Sequence, residues 1–367
     1  MDSLTHAFTA IAATHALRRG RPSGRTLGAA VLAANVQDVD WLPFLVSPAA
    51  GLAVHRGPTH SLLAVPLIGL AAAAAARLGG RARGSVASRS ELVALLGVCL
   101  VAAASHPAID LLTPYGLRPF LPFDGRWCYG DVVAVFDPWM WLVLGGTTLL
   151  LSGHGSTSVT TWTVLGSGIV MAALHLIPSE GAFGIVAGLV WIAGAAAVLI
   201  AWLRGVPAGA RRAIAVAGLT LTGLYLGGLA ALHQHALARA RAVAELTAGG
   251  DGERVLRVAA IPMLGDLSTW RGLADTERSV YRFAIPLGRP SPAAVERFAS
   301  LRDPALGAPA LGATTPLTRA FVSFARFGAV EVATEGARRV LLLADLRYDN
   351  PRPGEPETWP VREPIGP

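Results

Sequence analysis

Four short stretches of this sequence bring together residue types that bind metal ions or move protons. They are Thr5-His6; Asn35-Val36-Gln37-Asp38-Val39-Asp40-Trp41; His55-Arg56-Gly57-Pro58-Thr59-His60-Ser61; and Ser105-His106-Pro107-Ala108-Ile109-Asp110, the last followed by Thr113-Pro114-Tyr115-Gly116. Imidazole and carboxylate together suit zinc, manganese or iron. A hydrolytic metal site also needs an open position for water and a charge to hold the substrate. The spacings constrain how these groups can meet. His106 and Asp110 are i, i+4 and share one helix face. Asp38 and Asp40 are i, i+2, about 200° apart on a regular helix, so both reach one site only where the helix ends or unwinds; Pro43 agrees with an ending. His55 and His60 are five apart and share no helix face. Pro58 marks a helix start, with His55 in the preceding loop and His60 in the first turn. A helix N-terminus with Arg56 beside it suits a substrate anion.

Taken singly, each histidine suits a structural role and each aspartate a helix cap. Taken together, His6, His55, His60, His106, Asp38, Asp40 and Asp110 read better as metal ligands. Asp40 and His60 double as acid/base candidates. Arg56 is the catalytic candidate for holding an anion, and equally suits an ion pair with one of the acids. Asp137, just before Pro138, suits a ligand or a partner that fixes a histidine tautomer. Thr59 and Thr113 suit caps or donors that support the ligands. His15 and His175 stand alone in apolar runs and read as packed residues. His154 lies in a Gly/Ser loop, and His233-Gln234-His235 reads as a polar membrane boundary.

The elements that must position these groups follow from composition. Of 367 residues, 53% are hydrophobic and only 15% charged, against about 25% charged in soluble domains. That excludes disorder, and two cysteines exclude a disulfide scaffold. Residues 1–232 carry nine acids and fourteen arginines, and residues 233–367 carry fifteen acids and seventeen arginines. The chain therefore divides into a membrane part and a soluble part. The net charge of +7 comes with no basic stripe interleaved with aromatics, so nucleic acid is not an expected partner.

Apolar runs near 27–46, 60–77, 91–112, 132–151, 158–178, 183–203 and 212–232, with a shorter one at 4–17, predict seven or eight membrane segments, each span needing about 20 apolar residues. Connections 18–26, 77–90 and 204–212 hold eleven arginines and, with eight spans, fall on the cytoplasmic side. Eight of the nine acids of the membrane part then map to the outer side. An acid at membrane depth is costly and marks function. The fold class expected is a polytopic α-helical membrane protein with a C-terminal soluble α+β domain. Residues 1–150 would form a membrane-embedded domain with the metal site, 151–232 additional helices, and 233–367 an extracytoplasmic domain ending in a Pro-rich tail.

In that last domain, Arg254–Pro262 reads as a strand and Thr269–Leu287 as a hairpin turning near Asp275–Arg278. Helices are expected from Ser291-Pro292 to about Arg302 and from Thr315-Pro316 to about Phe327. Val330–Thr334 and Arg338–Arg347 read as a final strand pair, and the tail from Asn350 as irregular. The domain shows no catalytic motif, and its expected role is packing or control of substrate access.

The strings MDSLTHAFTA, NVQDVDW, HRGPTHSLL and SHPAIDLLTPYG resemble the YdjM-like family of inner-membrane, metal-dependent hydrolases over about residues 1–140. That family usually reads Pro-Asp-x-Asp where this chain has Gln37-Asp38-Val39-Asp40. The FDPWMW string around Asp137 and the C-terminal domain resemble its longer members. The His-x3-Asp element is also similar to one in zinc-dependent bacterial phospholipase C enzymes. The resemblance implies a multi-pass protein of the bacterial inner membrane. It would hold a divalent transition metal, zinc first with manganese or iron as alternatives, and hydrolyse a phosphoester or lipid-linked substrate at the outer face. The expected partners are the lipid bilayer and a small-molecule or lipid-linked substrate. The competing functions are a transporter or metal-handling protein, and a non-catalytic scaffold with a structural metal site.

Overall fold

The structure, a computed structural model, describes residues 1–82, 84, 88–176, 181–288, 294–306, 315–335 and 338–365. Two compact units divide it. The first comprises essentially Met1–Val39 and Arg56–Leu229, and the second Asp40–His55, Ala230–Met263 and Leu267–Pro367.

The first unit is helical. α1 (Ser3–Leu17), α2 (Gly24–Asn35), α4 (Ala64–Arg81) and α5 (Arg89–Asp110) share a core of small residues, among them Ala10, Ala30, Ala33, Ala72, Cys99 and Ala102. Alanine faces allow close helix approach, which suits packing where lipid removes the hydrophobic drive between helices. The four run alternately up and down. Their capping is local and strong: Asp2, Ser23 and Ser88 each accept a hydrogen bond from the first turn of the helix that follows, and Ser88 with Glu91 closes a reciprocal capping box. Arginines 18, 25, 81 and 89 lie at one set of helix ends. The first turn of α1, the end of α2, the turn before α4 and the last turns of α5 lie at the other set.

Among the described residues, three helices are long and apolar enough to cross a membrane: α5, the Gly184–Arg204 part of α9 (Gly181–Arg204), and α10 (Arg211–Gly250). A fourth results if the bent pair of Pro48–His60 and α4 counts as one span. The expected seven or eight are not reached. Hydropathy reads through breaks that the backbone does not. The apolar run at 27–46 is the 12-residue α2, about 18 Å long against a hydrocarbon core of about 30 Å, followed by a 3-10 segment, Val36–Leu45. The run at 132–151 becomes helical only at Pro138 and passes through α6 (Pro138–Met140), a π-turn (Trp141–Gly145) and α7 (Gly146–Leu151). The apolar part of α8 (Ser156–Leu176), Val159–His175, is also short.

The second unit contains α3 (Pro48–Val54) and a seven-stranded antiparallel sheet curled into a half-barrel. Its strands are β1 (Arg257–Met263), β2 (Asp266–Asp275), β3 (Ser279–Pro286), β4 (Glu296–Ser300), β5 (Gly328–Glu335), β6 (Arg338–Asp345) and β7 (Val361–Ile365), adjacent in chain order. Strand alternation separates two cores. Leu273, Val280, Phe298, Ala329, Val340, Leu342 and Ala344 face one side with Phe327 and Trp359. On the other side Trp270, Tyr281, Phe283 and Ile285 meet Ala236, Ala240, Ala244 and Ala248 of α10, a strict i, i+4 stripe that lets the helix lie close. Further along that face, Val330, Leu341, Leu343 and Val361 pack with Phe321 of helix Pro316–Phe324 and with Leu52 of α3.

The expected hairpin, the final strand pair and the helix opening at Thr315-Pro316 are present. Two expectations fail. Residues 296–300 form β4 rather than a helix, because Phe298 and Ser300 alternate inward between β3 and β5; the expected start at Ser291-Pro292 lies outside the described residues. The tail also returns as β7, whose Pro364 is tolerated at a sheet edge. Leu342 is fully buried and Leu246 of α10 is 81% exposed. Leu342→Ala should therefore cost about 2–5 kcal/mol and Leu246→Ala under about 0.5 kcal/mol, as read by chemical denaturation of the full chain in detergent. Equal losses would contradict the core assignment.

Candidate metal centre

The four helix ends of the first unit meet at Asp38, His60, His106 and Asp110. His60, His106 and Asp110 are fully buried, and the Asp38 side chain is 24% exposed. Their facing atoms form a tight set. His60 Nε2 lies 3.0 Å from His106 Nε2, 3.6 Å from Asp38 Oδ1 and 3.3 Å from Asp110 Oδ2. His106 Nε2 lies 3.4 Å from both of those oxygens. A tetrahedron with metal–ligand bonds of 2.0–2.1 Å has edges of about 3.3 Å, and these five spacings lie close to that length.

The ring tautomers agree. His106 Nδ1 lies 2.6 Å from the carbonyl of Ala34, one of the orphan acceptors at the end of α2. His60 Nδ1 lies 3.1 Å from Thr59 Oγ1. With Nδ1–H donated in each ring, both Nε2 lone pairs face each other, an arrangement that a cation between them satisfies. Asp110 Oδ2 is buried without a hydrogen-bond donor, which fits a ligand oxygen. The residues present therefore fit a divalent ion.

Local sequence explains the placement. Pro107 lacks an N–H and so frees the carbonyl of Ala103, four residues earlier in α5. Gln37 Nε2 donates to that carbonyl at 2.8 Å and pins the 3-10 segment that carries Asp38. This glutamine stands where the resembled family usually has proline. Asp2 caps α1 through Thr5 and accepts from Trp141 Nε1 at 3.1 Å. That fixes the turn holding His6, whose ring stacks on His106 at 3.8 Å.

Not every sequence candidate joins the group. A 3-10 helix turns about 120° per residue, so two residues on, Asp40 points about 120° away from Asp38. Asp40 Oδ1 instead meets His55 Nδ1 at 2.7 Å, in the second unit. The expected helix start at Pro58 is a single 3-10 turn, Pro58–His60, with α4 beginning only at Ala64. Asp137 caps α6 through the Met140 N–H and accepts from the Tyr225 hydroxyl at 2.9 Å. Thr113 donates to the carbonyl of Asp110 and accepts from Arg56 Nη1. Gln37, Asp2 and the Ala34 carbonyl were not singled out from sequence as site-forming. Pro107 inside a helix signals a free carbonyl four residues back, whereas nothing in an alanine side chain marks its backbone oxygen.

A helical membrane region that closes a buried His/Asp cluster at its helix ends defines the class of protein. Residues 1–181 match the family model described as YdjM inner membrane protein, the family that the motifs of this region resemble. No curated protein and no solved structure matches the chain.

Thr59→Ala should free the His60 ring and weaken zinc binding about 10- to 100-fold, measured by competition with a chromophoric chelator. His106→Ala should weaken it more. Unchanged affinity in both would contradict the ligand assignment.

Proposed function

We propose that the protein is a membrane-bound, metal-dependent hydrolase. The carrying observation is that three donors, His60, His106 and Asp110, are fully buried while the fourth, Asp38, is partly exposed. Three fixed ligands with an approachable fourth position suit catalysis, whereas structural zinc sites are closed on all four sides. A bound divalent ion supplies Lewis acidity and activates water near neutral pH. His60, His106 and Asp110 would hold it. Asp38, contacted at Oδ2 by Ser3 Oγ at 3.3 Å, can as a carboxylate accept a proton on its exposed side. Zinc suits the two-histidine, two-carboxylate set, and manganese or iron suits it less.

The separation of arginine ends from site ends supports a centre at the outer membrane face, by the positive-inside rule, with the C-terminal domain outside. The membrane setting and the His106-x3-Asp110 element support a phosphoester or lipid-linked substrate. The ground that Arg56 offered for an anion is reassigned, because its guanidinium is turned onto Asp110, 3.2 Å away. A structural metal site is the second reading, favoured by the same four donors if Asp38 stays bound.

Asp38→Asn separates the two readings. The variant should keep its ion and lose about 10²- to 10⁴-fold in turnover of lipid phosphoesters, and chelation of the wild type should abolish turnover. Turnover that survives chelation, or an Asp38→Asn enzyme as fast as wild type, would refute the catalytic assignment.

A further inference from the structure

We infer that Arg56 is a positioning residue that makes Asp110 a one-oxygen ligand and stands where a second metal ion would sit, so that the centre holds a single ion. The inference rests on the metal-centre reading and deepens it. Two-metal hydrolytic sites set their ions about 3.5–4 Å apart, and a carboxylate that bridges such a pair gives one oxygen to each ion. In Asp110, Oδ2 faces His60 and His106 at 3.3 and 3.4 Å. Oδ1, the oxygen a bridge would offer to a second ion, is met by Arg56 Nη2 at 3.2 Å. A cationic group, the Arg56 guanidinium, already holds that side of the carboxylate. His6 stands on the same side, its ring stacked on His106 and its Nε2 at 3.4 Å from Oδ1. Among the described residues, Asp38, His60, His106 and Asp110 form the one group of such side chains spaced to hold a metal.

Arg56 is built for this position. Its backbone is left-handed, with φ of 53°, a conformation that a non-glycine residue keeps only when its surroundings over-determine it. The carbonyl of Arg56 accepts from Arg118 N–H at 3.1 Å. Its guanidinium is buried over the Tyr115 ring, 4.7 Å from the centroid. Nη1 donates to Thr113 Oγ1 at 2.9 Å, and that hydroxyl donates to the Asp110 carbonyl at 2.8 Å. The planar fork thus holds the Asp110 carboxylate directly and its backbone through Thr113. Lysine, a single point of charge, cannot do both.

The test uses full-length protein in detergent, loaded with zinc or with cobalt(II). Wild type should bind one ion per chain. Arg56→Gln should weaken binding at least tenfold and shift the visible cobalt bands, because a released Asp110 is free to coordinate through both oxygens. Arg56→Lys should restore part of the affinity, and Thr113→Val, which removes one anchor, should weaken binding roughly threefold. Two ions per wild-type chain would overturn the single-ion inference. Arg56→Gln with wild-type affinity and an unchanged cobalt spectrum would overturn the positioning role while leaving the metal centre standing. If Arg56→Gln does not fold, wild-type binding and spectrum in both Arg56→Lys and Thr113→Val would overturn it equally. A wild type that binds neither metal would remove the metal-centre reading itself, and this inference with it.

Discussion

A buried imidazole has two nitrogens to satisfy, and in this protein the partner of Nδ1 governs the rest. The Ala34 carbonyl takes the His106 Nδ1 proton at 2.6 Å, which turns the Nε2 lone pair toward His60. That carbonyl is free only because α2 stops at Asn35. The end of one helix therefore fixes the tautomer of a ligand on another. If α2 continued for another turn, the acceptor would be consumed by the helix ladder. His106 would then lose its orientation, and Asp38 would no longer lie in a 3-10 segment. The geometry of the centre and the shortness of α2 are one fact.

This explains how far the site was legible in the sequence. His106 and Asp110 were readable because i, i+4 on a helix is a contact whatever the surroundings. Asp38 and His60 were readable by company, as members of a set of polar motifs in an apolar chain. Asp40 and His55 were not separable from that set. Whether Asp38 or Asp40 enters the centre depends on how the chain winds past Asn35, and a 3-10 segment there sends the two aspartates in different directions. Arg56 carried two readings in the sequence, and its contacts with Asp110, Thr113 and Tyr115 favour the ion pair. The span count failed for a related reason. Alanine, glycine and leucine sustain hydropathy through helix ends, so the runs at 27–46 and 132–151 looked continuous where the backbone changes course. In the sheet, period-2 burial at Phe298 and Ser300 outweighed a good helix-start signal upstream.

The same physics explains why the centre lies where helices end. In a membrane, free backbone N–H and C=O groups cost several kcal/mol each unless something satisfies them. Four helix ends brought together would multiply that cost. Here the side chains that build the centre also remove it. Asp2 takes the Thr5 N–H, Gln37 takes the Ala103 carbonyl left free by Pro107, and His106 takes the Ala34 carbonyl. Four donors converge there, on His60, His106, Asp110 and Asp38; Asp110 Oδ2 has no hydrogen-bond partner, and neither do the two ring nitrogens of the neighbouring His6. A divalent cation is the group that satisfies all four at once. The centre is thus bound up with a general problem, the closing of helix ends in an apolar medium, because the side chains that satisfy three of those ends also place the donors that face the ion.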